Sequence, residues 1–257
     1  MRILAFESSA KAASVALLTD GVLSAERYQN DGQTHSRTMM KLAKDLLDDC
    51  RLSPADLDFV AWANGPGSFT GVRIGAAAAK GLCWGAELPC IPVSTLEAMA
   101  WNAAELDGVI CCCMDARRSQ VYNALFCAEQ GQIVRLRPDR AISLEELAED
   151  LRGFNEPVSL VGDGAALAWE FLHKAETRTA ECGSYESDAG GKTRGVEDAA
   201  PYRLLAEHHR QQRASGVALA AYAAALRGVC ANAAAVTPNY LRLSQAERER
   251  LEKENAK

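Results

Sequence analysis

The sequence lacks the short motifs from which a catalytic centre can usually be recognised. Only four of its 257 residues are histidines, and no two of them have the His-x-x-x-His spacing of a helical zinc site. There is no Gly-x-Ser-x-Gly turn for a serine nucleophile and no Gly-Lys-Ser/Thr ending that would make a P-loop. These absences predict a chain with no metal, no cofactor and no catalytic residue of its own.

Long apolar runs and a secretion signal are also missing. The apolar stretch at 216–226 is too short to cross a bilayer, and Glu7 interrupts the N-terminus before a signal-peptide core of useful length. Nine cysteines occur without a Cys-x-x-Cys pair, so neither a zinc ribbon nor a thioredoxin-like site is predicted. We expect a cytosolic protein whose cysteines, including the consecutive Cys111, Cys112 and Cys113, are small buried hydrophobic residues.

A surplus of positive charge is absent too. The chain has 28 Lys and Arg against 34 Asp and Glu, which gives a net charge of -6. Because phosphate contacts need clustered Lys and Arg, such a chain is a poor binder of nucleic acid on its own. This leaves open a place in a complex in which another subunit holds the nucleic acid.

A pattern of strand, hairpin and helix is what the sequence does contain. In the first half, apolar runs bounded by turn residues predict strands, and apolar stripes at helical spacing predict helices. The predicted order is strands 3–7, 14–18 and 22–28, helix 36–50, strand 59–63, helix 70–85, strand 90–93 and helix 95–104.

The second half repeats this order, which indicates a duplicated unit. Its predicted elements are strands 109–114, 120–127 and 133–136, a helix from 143, strand 158–161, and helices 202–213 and 216–229. The chain is therefore expected to form an N-terminal lobe at 1–106 and a C-terminal lobe at 107–257. The polar segment 177–201 has no periodicity and is predicted to be a variable loop. A capping box from Ser244 predicts that the charged C-terminal tail is helical.

A glycine-rich segment between a strand and a helix is the most specific local feature. Residues 64–71 are Asn-Gly-Pro-Gly-Ser-Phe-Thr-Gly; the glycines allow a sharp turn, and Ser68 or Thr70 can cap the following helix. The free N–H groups of that helix start favour an anion, but a tight strand-to-helix turn explains the segment equally well. The candidate residues of a vestigial nucleotide or anion site are Ser8, Ser9, Gly67, Ser68, Thr70, Asp115, Gly162 and Gly164.

The helix after this turn is rich in small residues. Small residues let another helix approach closely, and a helix that is apolar on most sides must be covered on most sides. Helix 36–50 is expected to cover part of it and to leave an apolar surface for a protein partner. Complete burial within its own lobe is the alternative. The predicted partner interface consists of Met39, Leu42, Leu46, Gly71, Gly75, Ala78 and Leu82.

Six segments occur in an order that resembles the bacterial TsaB (YeaZ) family. They are Ile-Leu-Ala-Phe-Glu-Ser-Ser at 3–9, His-Ser at 35–36, Gly-Pro-Gly-Ser-Phe-Thr-Gly-Val-Arg-Ile-Gly at 65–75, Asp-Ala-Arg at 115–117, Gly-Asp-Gly-Ala at 162–165 and Pro-Asn-Tyr-Leu-Arg at 238–242. The resemblance covers nearly the whole chain, and the glycine-rich segment is its most specific part.

The resemblance implies an α/β, two-lobed actin-like ATPase fold of the sugar kinase and Hsp70 type, built from duplicated βββαβα units. It implies a role in forming N6-threonylcarbamoyladenosine beside the anticodon of tRNAs that read codons beginning with A. In that family the TsaB chain performs no transfer. It pairs through its first-lobe helices with TsaD, the metal-containing catalytic paralogue, and a P-loop ATPase, TsaE, joins them. The tRNA is reached through the complex, and the same face forms a homodimer when TsaD is absent.

One residue departs from the family pattern. Glu7 stands at the end of the first strand, where the family usually has Asp. In active relatives of this fold that carboxylate helps to organise a metal–nucleotide site, so the extra methylene weakens the case for intrinsic ATP chemistry. An active sugar or acyl kinase of the same fold is therefore the second hypothesis. A glycoprotease, which would need a metal or a nucleophile, is the third.

Overall fold

The first five strands form one mixed sheet in the computed structural model, which describes residues 1–182 and 202–242. The strand order is β3-β2-β1-β4-β5, with β1 antiparallel to β2 and parallel to β4. Residues 3–6 are fully buried, because both faces of β1 are covered, and this is why β1 has a continuous apolar sequence. The strands are β1 (Arg2–Glu7), β2 (Ala13–Thr19), β3 (Val22–Gln29), β4 (Phe59–Ala63) and β5 (Cys90–Val93).

The other five strands form a second sheet with the same plan. Its order is β10-β9-β6-β7-β8, in which β6 is antiparallel to β7 and parallel to β9. Each half thus contributes three antiparallel strands followed by two parallel strands, which confirms the predicted duplication and the two-lobed actin-like fold. The strands are β6 (Gly108–Asp115), β7 (Gln120–Glu129), β8 (Gln132–Ser143), β9 (Val158–Val161) and β10 (Tyr202–Leu204).

Seven helices cover the two sheets in the described residues. No helix in this part of the chain is long and apolar enough to cross a membrane. The predicted helix start at Ser143 is confirmed: the Ser143 hydroxyl accepts a hydrogen bond from the Glu146 N–H, and the Glu146 carboxylate accepts one from the Ser143 N–H, which together form a capping box. The helices are α1 (His35–Asp49), α2 (Phe69–Ala86), α3 (Thr95–Trp101), α4 (Leu144–Leu151), α5 (Ala165–Cys182), α6 (Glu207–Arg210) and α7 (Ala214–Leu226).

Two helices are exchanged between the halves of the chain. Helices α1 and α2 pack on one face of the first sheet, while α7, from the second half, packs on the other face against Ile3 and Ala5. Helix α3, from the first half, packs on the second sheet, where Leu96 and Met99 belong to the same buried cluster as Phe126. A boundary after residue 106 separates the strands of the two sheets. As a domain boundary it stays a prediction, since the helices cross it.

The three consecutive cysteines are buried as predicted. Cys111 and Cys113 face the helices α4 and α5, and Cys112 faces α3 on the opposite side of the sheet. All three are 0 % exposed, and burial holds the pKa of the Cys112 thiol well above its usual value. They therefore act as small core residues, which fit the alternation of a central strand.

Two predictions near the C-terminus are wrong or incomplete, and a third is not tested. The predicted helix 202–213 is instead strand β10, which pairs in parallel with β9, followed by the single turn α6. A three-residue edge strand is too short to show periodicity, so its sequence gives no strand signal. The predicted loop 177–201 begins too early, because α5 continues to Cys182. Its remainder and the predicted helix from Ser244 lie outside the described residues.

Candidate functional sites on helix α2 and at the junction of the lobes

The glycine-rich turn positions the first turn of α2 against the β1–β2 connection. Ser68 is the N-cap, as predicted: its hydroxyl accepts a hydrogen bond from the Gly71 N–H at 3.3 Å. The Ser68 N–H itself donates to the Ser9 carbonyl at 2.7 Å. Thr70, the other candidate cap, is exposed on the helix surface. The start of α2 is thus tied by its own backbone to the end of β1.

Gly71 and Gly75 belong to this internal contact. The Ser8 hydroxyl donates to the Gly71 carbonyl at 2.9 Å. A Cβ atom on Gly71 would lie 2.0 Å from the Ser8 carbonyl oxygen, and one on Gly75 would lie 2.5 Å from the Ser8 Oγ. Both glycines are therefore required by close packing inside the lobe. We expected them at a partner surface, but they lie on the buried side of α2.

The other predicted interface residues divide into two groups. Met39 and Leu46, on α1, are each 1 % exposed and belong to the core beneath α1 and α2. They are not accessible on the surface of this chain. Leu42, Ala78 and Leu82 are half-buried at the edge of the same core. These three remain available to a partner.

A different side of α2 is open to solvent. It consists of Ala77, Gly81, Trp84 and Gly85, which we call the α2 face. All four are exposed, and the indole of Trp84 is 89 % exposed. No atom of the described residues lies within 4 Å of the position that a Cβ would take on Gly81 or Gly85. These four residues were not predicted as an interface, although their i, i+4, i+7 and i+8 spacing places them on one stripe of a helix.

A groove runs beside the C-terminal end of the α2 face. Its volume is about 870 Å³. Its walls come from α2 and from the segment that follows α7, and they include Lys80, Trp84, Leu88, Cys230 and Asn232. The face and the groove together give this side of the first lobe a continuous, largely apolar surface.

The candidate residues of the second lobe also lie together, at the end of β6. A Cβ atom on Gly162 would lie 2.0 Å from the Cys113 carbonyl oxygen, and one on Gly164 would lie 2.7 Å from the Asp115 backbone nitrogen. The Asp115 carboxylate accepts a hydrogen bond from the Arg117 N–H at 2.7 Å. The predicted turn therefore forms, and the two glycines are explained by its tight packing.

The two groups of candidate residues approach each other at Glu7. This carboxyl group is 1 % exposed, and its Oε1 accepts a hydrogen bond from the Ser9 N–H at 2.6 Å. Loss of hydration raises the pKa of Glu7 to about 7, against the lowering effect of the Ser9 hydrogen bonds, and the negative charge of Asp163 adds to the rise. Glu7 is thus partly protonated at neutral pH.

Asp163 and Gln212 continue this polar junction. The Gln212 amide donates to the Asp163 carboxylate at 2.8 Å. Desolvation raises the pKa of Asp163, although this hydrogen bond opposes the rise. Within the described residues, no group of three or more His, Cys, Asp or Glu side chains converges as metal ligands would. The junction therefore contains two desolvated carboxyl groups without a recognisable metal cluster.

Comparisons of this chain with known proteins point to one family of tRNA-modification proteins. A family model described as "TsaD: tRNA N6-adenosine threonylcarbamoyltransferase" matches residues 29–249. The protein named tRNA threonylcarbamoyladenosine biosynthesis protein TsaB from Escherichia coli is 34 % identical over 79 % of this chain and 94 % of its own length. The protein of the same name from Bacillus subtilis is 38 % identical over 65 % of this chain and 73 % of its own length.

A solved structure supports the fold. YeaZ from Pseudomonas aeruginosa superimposes with a TM-score of 0.73 at 24 % identity, over 93 % of this chain and 99 % of that one. At this identity the likeness concerns the fold alone. The sequence relatives carry the family assignment, because the E. coli protein is matched over nearly its entire length. The chain belongs to the TsaB (YeaZ) family.

Proposed function

We propose that this chain is a non-catalytic partner of a TsaD-like threonylcarbamoyltransferase. It would serve the formation of N6-threonylcarbamoyladenosine in tRNA, in the cytoplasm, with a TsaE-like ATPase joining the complex and the tRNA reached through it. The names of its relatives support the pathway, and the match to a transferase family model supports kinship with the catalytic subunit. The observation that carries the partner role is the exposed α2 face.

The α2 face has the composition of a protein-binding surface. Ala77, Gly81 and Gly85 let a partner helix approach the backbone of α2 closely. Trp84 supplies the large aromatic anchor that usually dominates the binding energy of an interface. An indole that is 89 % exposed leaves a large apolar area in water, and a partner that covers it gains that area as buried surface.

Helix α1 extends this surface. Met40 is 48 % exposed, and Leu42 is half-buried beside α2. A partner with the same two-helix arrangement would therefore meet this chain across four helices. Because one patch can also meet its own copy across a two-fold axis, the same surface supports a homodimer when the TsaD-like protein is absent.

The geometry around Glu7 supports the non-catalytic part of the proposal. In the first lobe, the backbones of the β1–β2 connection and of α2 are in direct contact, and the Ser8 and Ser9 side chains are buried. A phosphate would have to separate these segments before it could reach the Ser68 N–H, which already donates to Ser9. The Glu7 carboxyl group accepts a hydrogen bond from the Ser9 N–H, in the turn that follows β1. An isolated chain is therefore expected to show no heat of ATP binding by calorimetry, and clear binding would favour the kinase hypothesis instead.

A charged substitution on the α2 face tests the partner role. We expect Ala77→Arg to weaken binding to the TsaD-like protein by about 100-fold, because a buried charge without a counter-ion costs several kcal/mol at an interface. Arginine suits an exposed helix position, so the fold should persist. Titration calorimetry measures the affinity, and circular dichroism checks the helix content.

The matched control is the same change at Ala206, an exposed position of the second lobe. Ala206→Arg should leave the affinity unchanged. Equal affinities for the two variants would show that the α2 face is not the binding surface. Gly75→Arg is unsuitable for this purpose, because Gly75 contacts Ser8 inside the lobe and the substitution would disrupt the fold.

A further inference from the structure

The segment after α7 returns to the first lobe and is fastened along its length. We call residues 229–242 the C-terminal strap. Near its start, Ala231 forms an antiparallel bridge with Cys90 of β5, through hydrogen bonds of 3.0 and 2.8 Å. Further along, the Lys80 ammonium donates to the Val236 carbonyl. The strap thus crosses the edge of the first sheet and follows α2 towards its N-terminus.

The strap next holds the glycine-rich turn. The Asn64 side-chain amide donates to the Thr237 carbonyl at 2.9 Å, and the Asn239 N–H donates to the Asn64 carbonyl at 2.7 Å. A Cβ atom on Gly65 would lie 2.3 Å from the Asn239 carbonyl oxygen. Gly65 also has φ +106°, a conformation that L side chains rarely adopt. The absence of a side chain at Gly65 therefore allows the strap to pack against the backbone of the turn.

Tyr240 then attaches to the first turn of α2. Its ring stacks on Phe69 with the centroids 4.4 Å apart. Its hydroxyl accepts a hydrogen bond from Arg73 Nε at 2.9 Å, and the Arg73 guanidinium lies 3.9 Å from the centroid of the Phe69 ring. Each of the three side chains contacts the other two, so the cluster fixes the start of α2 relative to the strap.

Arg242 completes a link to the second lobe. Its guanidinium donates to the Ala116 carbonyl at 2.8 Å, on the turn between β6 and β7. It also lies 5.8 Å from the ring centroid of Tyr122, on β7. Only one residue separates Tyr240 from Arg242, so their Cα atoms lie at most about 7 Å apart. The start of α2 and the β6–β7 turn are thus connected through three residues of the strap.

We propose that Tyr240 and Arg242 are positioning residues that hold α2 in the orientation required for partner binding. This rests on the proposed function, since the α2 face begins four residues beyond Arg73. The partner covers α2, while the strap determines how α2 is set relative to the second lobe. Release of Arg242 frees the strap from the β6–β7 turn and lets the first turn of α2 move with it.

The test compares three variants of the full chain. Arg242→Ala removes the bond to Ala116, Arg242→Lys keeps one donor for it, and Arg118→Ala removes a nearby charge from the same β6–β7 turn as a control. Amide hydrogen exchange of the isolated chain reports on residues 69–73 and 115–120, and titration with the TsaD-like protein gives the affinity.

We expect Arg242→Ala to speed exchange in both segments and to weaken binding about tenfold. Arg242→Lys should restore most of the protection from exchange and most of the affinity. Arg118→Ala should change neither the exchange rates nor the affinity. Tyr240→Phe, which keeps the stacking and loses only the hydroxyl, should weaken binding about threefold. Because it removes a single oxygen, this variant is informative even if Arg242→Ala is poorly folded.

Two results would overturn the proposal. Faster exchange at 115–120 without any change at 69–73 would show that the strap does not connect α2 to the second lobe. Faster exchange in both segments with an unchanged affinity would show that the connection does not position the partner surface. Either result leaves the partner role intact, because that role fails only if Ala77→Arg binds the TsaD-like protein as well as Ala206→Arg does.

Discussion

Replacing Glu7 with Gln should stabilise the folded chain at pH 8 by about 3 kcal/mol. Burial raises the pKa of this carboxyl group from 4.5 to about 7, whereas in the unfolded chain it returns to its ordinary value. Between these two values the folded chain holds a proton that the unfolded chain has released. The contribution of Glu7 to the free energy of unfolding therefore falls as pH rises from about 4.5 to about 7, and it stays constant above that range.

Glutamine avoids this loss because it does not ionise. Its carbonyl oxygen can still accept the hydrogen bond from the Ser9 N–H, and its uncharged amide group replaces Glu7 Oε2, which has no hydrogen-bond partner among the described residues. Urea unfolding at pH 5.5 and at pH 8 measures the effect. The advantage of Glu7→Gln should grow by about 2 kcal/mol between these two pH values.

Glu156→Gln is the matched control, since Glu156 is exposed. This variant should keep the pH dependence of the wild type. If Glu7→Gln shows the same advantage at both pH values, Glu7 does not titrate near neutrality in the folded chain, and the assignment of its desolvation is wrong.

Adding one methyl group to α2 should have opposite effects at two glycines of the same helix. Gly71→Ala should destabilise the chain by about 3 kcal/mol, because the new Cβ would lie 2.0 Å from the Ser8 carbonyl oxygen and a backbone atom must move. Gly81→Ala should stabilise it by about 0.5–1 kcal/mol, since the position is open and alanine favours the helix.

Gly75→Ala should fall between these two variants. Its Cβ would meet the Ser8 hydroxyl, a side-chain atom, rather than the backbone. That hydroxyl can rotate, although doing so breaks its bond to the Gly71 carbonyl. Urea denaturation of the three variants gives the order directly. Equal destabilisation by Gly71→Ala and Gly81→Ala would contradict the contact between α2 and the β1–β2 connection.

Long, periodic elements could be predicted from the sequence, whereas the side to which a small residue points could not. The strands of both sheets other than β10, and the helices α1 and α2, were predicted because their apolar patterns extend over several residues. The small residues of α2 correctly indicated a close approach. The segment that approaches Gly71 contains Ser8, which lies 63 positions earlier in the chain. A contact between residues so far apart cannot be predicted from a local sequence pattern.

The candidate site shows the same division. Ser68 was one of two predicted caps, with Thr70, because a capping hydroxyl accepts from an N–H only three residues away. The pKa of Glu7 and the link from Arg242 to Ala116 depend on groups brought together only by the packing of the two lobes. Likewise, the edge strand β10 exists because β9 offers it a backbone partner, and its three residues carry no pattern of their own.

The exchange of α3 and α7 between the halves has a consequence for biosynthesis. The first sheet cannot bury its second face until α7 has been made, and the Ala214 N–H that bonds to the Ser14 hydroxyl is 200 residues later in the chain. At about 5–20 residues per second, synthesis from the end of β5 at Val93 to the start of α7 at Ala214 takes about 6–24 s, and the sheet lacks this cover throughout. During this period the nascent chain cannot bury residues such as Ile3 and Ala5 by its own packing.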